Sequence, residues 1–123
     1  MSGINTTIAS YIAAWNETDS DRRRDVIARA WAEGGRYLDS HRDSTGHDAI
    51  DAMIAAVQQM FPGYRFRLSS GIDVHHDRVR FSWQAGGTPD APLFFAGTDF
   101  ATIAPDGRFN VVTGFTDAMP SVT

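Results

Sequence analysis

The sequence predicts an α+β domain in which helices cover one face of a strongly curved, mostly antiparallel sheet. Three observations carry that expectation. Apolar residues recur at helical spacing through the first half of the chain, up to Pro62-Gly63. After that point the period changes to two, as expected where strand side chains alternate between faces. No linker, repeat or low-complexity segment separates the two regimes, and 123 residues fit one domain, residues 1–123. Helices first and a meander afterwards pack as two layers, with three helices on the concave face of a cone-shaped sheet.

The elements follow in order. Ile4, Ile8, Tyr11, Ile12 and Trp15 form one apolar stripe and predict the first helix. "NETDSD" breaks it and offers Asp19 or Ser20 as the next N-cap. Val26, Ile27, Ala30 and Trp31 predict a second helix that ends at Gly34-Gly35. "RYLDS" reads as a short strand and "STGHD" as a loop, with Thr45 and Asp48 spaced like a capping box. Ile50, Met53, Ile54, Val57, Met60 and Phe61 predict the third helix.

In the second half, Tyr64, Phe66, Leu68, Ile72 and Val74 alternate with Arg65, Arg67 and Asp73. Val79, Phe81 and Trp83 alternate in the same way with Arg78, Arg80 and Ser82, which describes a half-buried sheet with one polar side. "GGTPDAP" is a loop, 94–103 a strand, Pro105-Asp106-Gly107 a turn, and 109–115 the last strand.

Composition excludes several functions. There are no cysteines, so thiol catalysis, thiolate metal sites and disulfides are absent, which fits a cytoplasmic setting. Net charge is −4, and the one basic cluster, Arg22-Arg23-Arg24, is flanked by Asp19, Asp21 and Asp25, which argues against nucleic acid as a partner. No apolar run reaches the length of a membrane span, and the N-terminus lacks the basic segment of a signal peptide. There is no nucleophile elbow, no phosphate-binding loop and no dinucleotide fingerprint.

A helix-capped curved sheet encloses a cone, a natural pocket with an apolar lining and few polar groups. The lining is expected from Trp15, Trp31, Tyr37, Met53, Phe61, Trp83, Phe95 and Phe115. Asp99 is the residue that stands out. On its strand it shares a face with Phe95, Gly97, Ala101 and Ile103. It is either an acid exposed at the sheet edge or paired with an arginine, or a carboxyl group facing the cone, where burial favours its neutral form. Asp39 lies at a strand end, in phase with Tyr37 and beside a polar loop, and Tyr11 lies on the first helix's apolar stripe. His75 and His76, adjacent on a strand, are expected to point to opposite faces. His41 can reach a pocket mouth, His47 reads as surface, and Asp117 as an acid just past the last strand. No metal site is expected.

The order of elements, with "YIAAWNETD", "RYLDS…GHDAI", "FPGYRFRL", "VRFSW" and "GTDFATIAPDGRFNVVTGF", resembles the nuclear transport factor 2-like (cystatin-like) superfamily, in particular its SnoaL-like branch. The likeness spans nearly the whole chain. That superfamily includes isomerases such as ketosteroid isomerase, polyketide cyclases, dehydratases, epoxide hydrolases and members with no known catalysis. Within it, the isomerase pattern is similar at three positions. "YIAAWN" puts Tyr11 at the helix tyrosine, "YLDS" puts Asp39 at the base, and "AGTD" puts Asp99 at the carboxylic acid kept neutral to donate a hydrogen bond. The resemblance implies catalytic Tyr11, Asp39 and Asp99, no cofactor, a small apolar or aromatic ligand, and a homodimer. Ser40 stands where the isomerase has Pro, and Gly97 where an epoxide hydrolase of this superfamily needs Arg. Two other readings stay open: a non-catalytic binder of a small apolar ligand, and a dimerisation module whose cone is filled by side chains.

Overall fold

The computed structural model describes residues 2–118. Three helices, α1 (Ser2–Asn16), α2 (Ser20–Ala30) and α3 (His47–Met60), pack on one face of a curved seven-stranded sheet. The strands are β1 (Trp31–Leu38), β2 (Asp43–Thr45), β3 (Phe66–Leu68), β4 (Asp73–His75), β5 (Arg78–Gly86), β6 (Phe94–Ile103) and β7 (Phe109–Ala118). Their order is β2-β1-β7-β6-β5-β3, and β4 shares the β5 edge with β3. All pairings are antiparallel except β1 with β7, so the sheet is mixed.

Local features set the boundaries of α2 and the start of α3. Asp19 caps α2, its side chain accepting a 2.9 Å bond from Arg22 N–H. That helix stops at Ala30, earlier than the spacing suggests, because Trp31 turns extended and opens β1. Gly34 and Gly35 therefore lie inside a strand. Trp31 pairs with Phe109 and Arg36 with Val111, so the residues between them bulge out, with Gly34 at φ +75. The expected capping box of α3 does not form: its N-cap is Gly46, which has no side chain to accept a bond, and Ser44 and Thr45 belong to β2.

Tyr11, Trp31, Phe81 and Phe109 form the centre of the core, each no more than 2% exposed. The Tyr11 ring meets the other three at centroid distances of 5.1 to 5.7 Å. Ile27, Ile50, Ile54 and Val112 fill the space between helices and sheet. Each such side chain contributes about 1.5–3 kcal/mol by burial. Alternation holds along β5, where Val79 and Phe81 are buried and Arg78 and Arg80 exposed. It fails at the edge, on the short strands β3 and β4, where Leu68 and Val74 are exposed.

Other sequence expectations also change. His76 takes φ +51 in the turn after β4, which folds its ring against His75 at 5.6 Å instead of opposing it. His47 is not a free surface residue; its Nε2 donates to the carbonyls of Trp31 and Ala32 at 2.9 and 3.2 Å. Asp117 lies within β7, and its carboxylate accepts a 2.6 Å bond from the Thr98 hydroxyl. Arg23, one of the basic cluster, is buried and bonded to Asp51 at 2.7 Å.

Candidate functional site

The open end of the cone is a cavity of about 350 Å³, with Tyr11, Asp39 and Asp99 all in its wall. Of the expected lining, Trp15, Tyr37, Phe61, Trp83 and Phe95 border it. Trp31 and Met53 do not. Both sit deeper, in the core between the helices and the sheet. Phe115 touches the rim, but its ring packs edge-on against Phe100 at 5.8 Å on the opposite side of the sheet and is 56% exposed.

Asp99 is placed by β6, where it pairs with Phe81 on one side and Gly114 on the other. Asp99 is 2% exposed, and among the described residues its carboxyl group has two donors. Tyr11 donates from α1 at 2.6 Å, and the Trp83 indole N–H donates from β5 at 3.1 Å. Burial pushes the Asp99 pKa up to about 6; the two hydrogen bonds oppose the rise and the charge of nearby Asp39 adds to it. The same burial, with the Asp99 charge beside it, raises Tyr11 well above the ordinary phenol range.

Asp39 lies one residue past β1, at the cavity mouth, in a different environment. Its Oδ1 accepts backbone N–H bonds from His41 and Arg42, both at 2.9 Å. Its Oδ2 accepts a 2.8 Å bond from the Tyr37 hydroxyl and a longer, 3.4 Å contact from the Arg42 guanidinium. Burial, then the charges of Asp99 and Asp39, hold Tyr37 protonated, its pKa raised from the usual phenol value.

Three features sequence reasoning missed make this arrangement possible. Gly97 lets the Trp83 indole cross β6 toward Asp99; a Cβ there would lie 2.4 Å from the ring. Gly114 leaves room where the acids meet, since its Cβ would stand 3.0 Å from both Asp99 Oδ1 and the Tyr37 hydroxyl. A glycine in a strand interior is the available signal for such close approach. Asn16 clasps β3, donating to Phe66 O at 2.8 Å and accepting from Phe66 N at 2.6 Å. That bond pair holds Phe66 over the chamber between Trp15 and Trp83, at ring distances of 5.6 and 5.4 Å. Its polar side chain at the end of an apolar helix is the only sequence hint. Among the described residues, no three metal-type side chains cluster, and no helix is long and apolar enough to cross a membrane.

Residues 8–112 match the SnoaL-like domain family. The chain belongs to the SnoaL-like family. A solved candidate isomerase of this family from Agrobacterium tumefaciens is 42% identical, with a TM-score of 0.86 over 96% of this chain and 100% of that one. A nuclear transport factor 2-like protein of unknown function from Exiguobacterium has a TM-score of 0.70 at 19% identity, over 95% of this chain and 99% of its own. TerC, crystallised with polyporic acid, has a TM-score of 0.67 at 14% identity, covering 91% of this chain and 92% of that one. These two share the fold, which is the α+β cone described above. No curated protein matches the sequence.

Proposed function

We propose that this SnoaL-like chain binds a compact, mostly apolar ring compound bearing a carbonyl and moves a proton on the carbon beside it, as a cofactor-independent isomerase or cyclase. One observation carries the reading: two carboxyl groups border a single aromatic chamber in contrasting surroundings, Asp39 among donors at the mouth and Asp99 buried deeper within. Acid–base division of labour calls for two acids in unlike surroundings, and burial raises Asp99.

In this proposal Asp39 is the base. Its Oδ2, where the Arg42 contact is long, takes the proton as the carbon–hydrogen bond breaks and the electron pair moves to the carbonyl oxygen. Asp99, already raised to about 6 and further desolvated by a bound ring, is the neutral donor to that oxygen. Tyr11 holds Asp99 in place and can turn its hydroxyl toward the oxygen once Asp99 carries a proton. Return of the proton from Asp39 to a different carbon completes an isomerisation. The likeness to a candidate isomerase at 42% identity supports the class of chemistry, and polyporic acid in TerC supports a ring compound as ligand.

The test is exchange of α-protons of 2-tetralone and small cyclic enones in deuterium oxide, followed by proton NMR. Asp39→Asn keeps the side-chain acceptor for the His41 and Arg42 N–H groups. It is expected to slow exchange by about 10²–10⁴-fold, the scale of a lost general base, with ligand affinity retained. Wild-type protein that binds these compounds yet exchanges nothing would sink the catalytic reading.

A second reading, a binder without turnover, is favoured by the four donors already on Asp39, which leave its lone pairs little room for a proton. A homodimer in the cytoplasm belongs to the same proposal. The exposed Phe100–Phe115 pair on the outer sheet face supports the dimer, and its test is the mass in solution of Phe100→Arg against wild type.

A further inference from the structure

Arg42 stands at the cavity mouth on a closed turn, with a side chain that Asp39 does not need. The turn that carries it is closed by Asp39 N–H to Arg42 O at 2.9 Å and by the two backbone N–H bonds to Asp39 Oδ1. Its base is fixed by the paired bonds of Arg36 to Asp43 at 2.8 and 2.7 Å. Yet the guanidinium has one side-chain partner among the described residues, the 3.4 Å contact to Asp39. Asp39 meanwhile has three shorter bonds of its own and does not depend on Arg42 for satisfaction. The Arg42 side chain is 28% exposed, and among the described residues its planar five-donor fork meets that one side-chain acceptor. His41 lies beside it on the same rim, its Nδ1 engaged by Ser40 at 2.9 Å. Behind this polar edge the wall is Trp15, Phe61, Phe66, Trp83 and Phe95.

A guanidinium carried by a closed turn at the rim of an aromatic chamber fits a ligand with two unlike ends. We propose that Arg42 is a specificity residue: it holds a carboxylate on the ligand at the mouth while the ring body enters the chamber. This rests on the small-molecule pocket reading above and narrows its substrate class to ring compounds with an acidic arm. A neutral carbonyl would occupy one donor of the fork, whereas a carboxylate matches two in parallel, which is the geometry guanidinium recognises best. The negative charge of Asp39 beside the fork limits the gain, so the preference is set at the modest end for a charge-assisted pair.

The probes are 2-naphthoate and 2-methylnaphthalene, close in shape and differing in charge, titrated by tryptophan fluorescence at low salt. Wild type is expected to bind 2-naphthoate about tenfold more tightly, a preference that shrinks as salt screens the contact. Arg42→Met should remove that preference and leave 2-methylnaphthalene within about twofold of wild type, and Arg42→Lys should restore part of it. Equal wild-type affinities for the two probes overturn the proposal. So does an equal loss for both in Arg42→Met, because that marks Arg42 as a prop for the turn. Failure of the wild type to bind either probe removes the pocket reading itself and this inference with it; binding of 2-methylnaphthalene alone removes only the carboxylate preference.

Discussion

The Tyr11 hydroxyl donates a 2.6 Å hydrogen bond to Asp99 Oδ2, joining the first helix to the sixth strand inside the core. The two residues are 88 positions apart, and neither is more than 2% exposed. This bond ties the helical layer to the sheet at the wall of the cavity, so changes to either partner are read out both in stability and in the protonation of the site.

Removing the Tyr11 hydroxyl should raise the pKa of Asp99. Its hydrogen bond is the larger of the two that oppose desolvation, and in Tyr11→Phe only the Trp83 bond is left. The Asp99 side-chain carbon, followed by NMR through a pH titration, should show a midpoint above about 6 and a stability loss near 1 kcal/mol. A midpoint that moves down would mean that Tyr11 disfavours the carboxylate.

Asp99 itself should make stability fall as pH rises. Its pKa in the folded chain, about 6, exceeds the ordinary 3.8, so the folded state holds this proton longer than the unfolded chain does. The stabilisation is complete below pH about 4 and is lost as pH rises through about 6. The gap corresponds to about 3 kcal/mol as an upper figure. Urea melts at several pH values should show wild type losing stability relative to Asp99→Asn across that window. A constant difference between the two proteins contradicts the burial of a titrating Asp99.

Gly97→Ala should disturb the site through Trp83. The added methyl would stand 2.4 Å from the indole and 2.6 Å from the backbone oxygen of Phe115, and the latter cannot give way by a rotamer change. The expected cost is about 1–3 kcal/mol, typical of overpacking, with a shift in tryptophan emission as the indole leaves Asp99. Unchanged emission and melting temperature would show that the strands separate freely at this point.

The buried Arg23–Asp51 pair should behave as a unit. Arg23 also donates to Glu17 O at 3.0 Å and to Gln58 at 3.1 Å, which ties α2 to the end of α1 and to α3. Arg23→Met strands the Asp51 carboxylate, leaving Arg24 at 3.6 Å as its remaining cation, and should cost about 3 kcal/mol. Replacing both, with Asp51→Leu, should recover most of that loss. If the double variant is as unstable as the single, the pair contributes through shape and not charge.

The sequence by itself determined the layer architecture and singled out the two acids. Helical spacing up to Phe61 and period two after Pro62-Gly63 reflect where apolar side chains must point, a property each segment carries locally. The phase of Asp99 among Phe95, Ala101 and Ile103 likewise placed it on the buried face. Only the tertiary structure decided what those acids touch. That Trp83 donates to Asp99, that Tyr37 and Arg42 crowd Asp39, and that Gly114 leaves space between them depends on pairing across β5, β6, β7 and β1. The parallel β1–β7 pairing and the bulge at Gly34 were likewise hidden, so α2 read as running through Trp31 when that ring instead anchors the core from a strand. Periodicity reports the direction of a side chain from its own backbone; which residues face it is set by register between distant strands, and no local pattern encodes that.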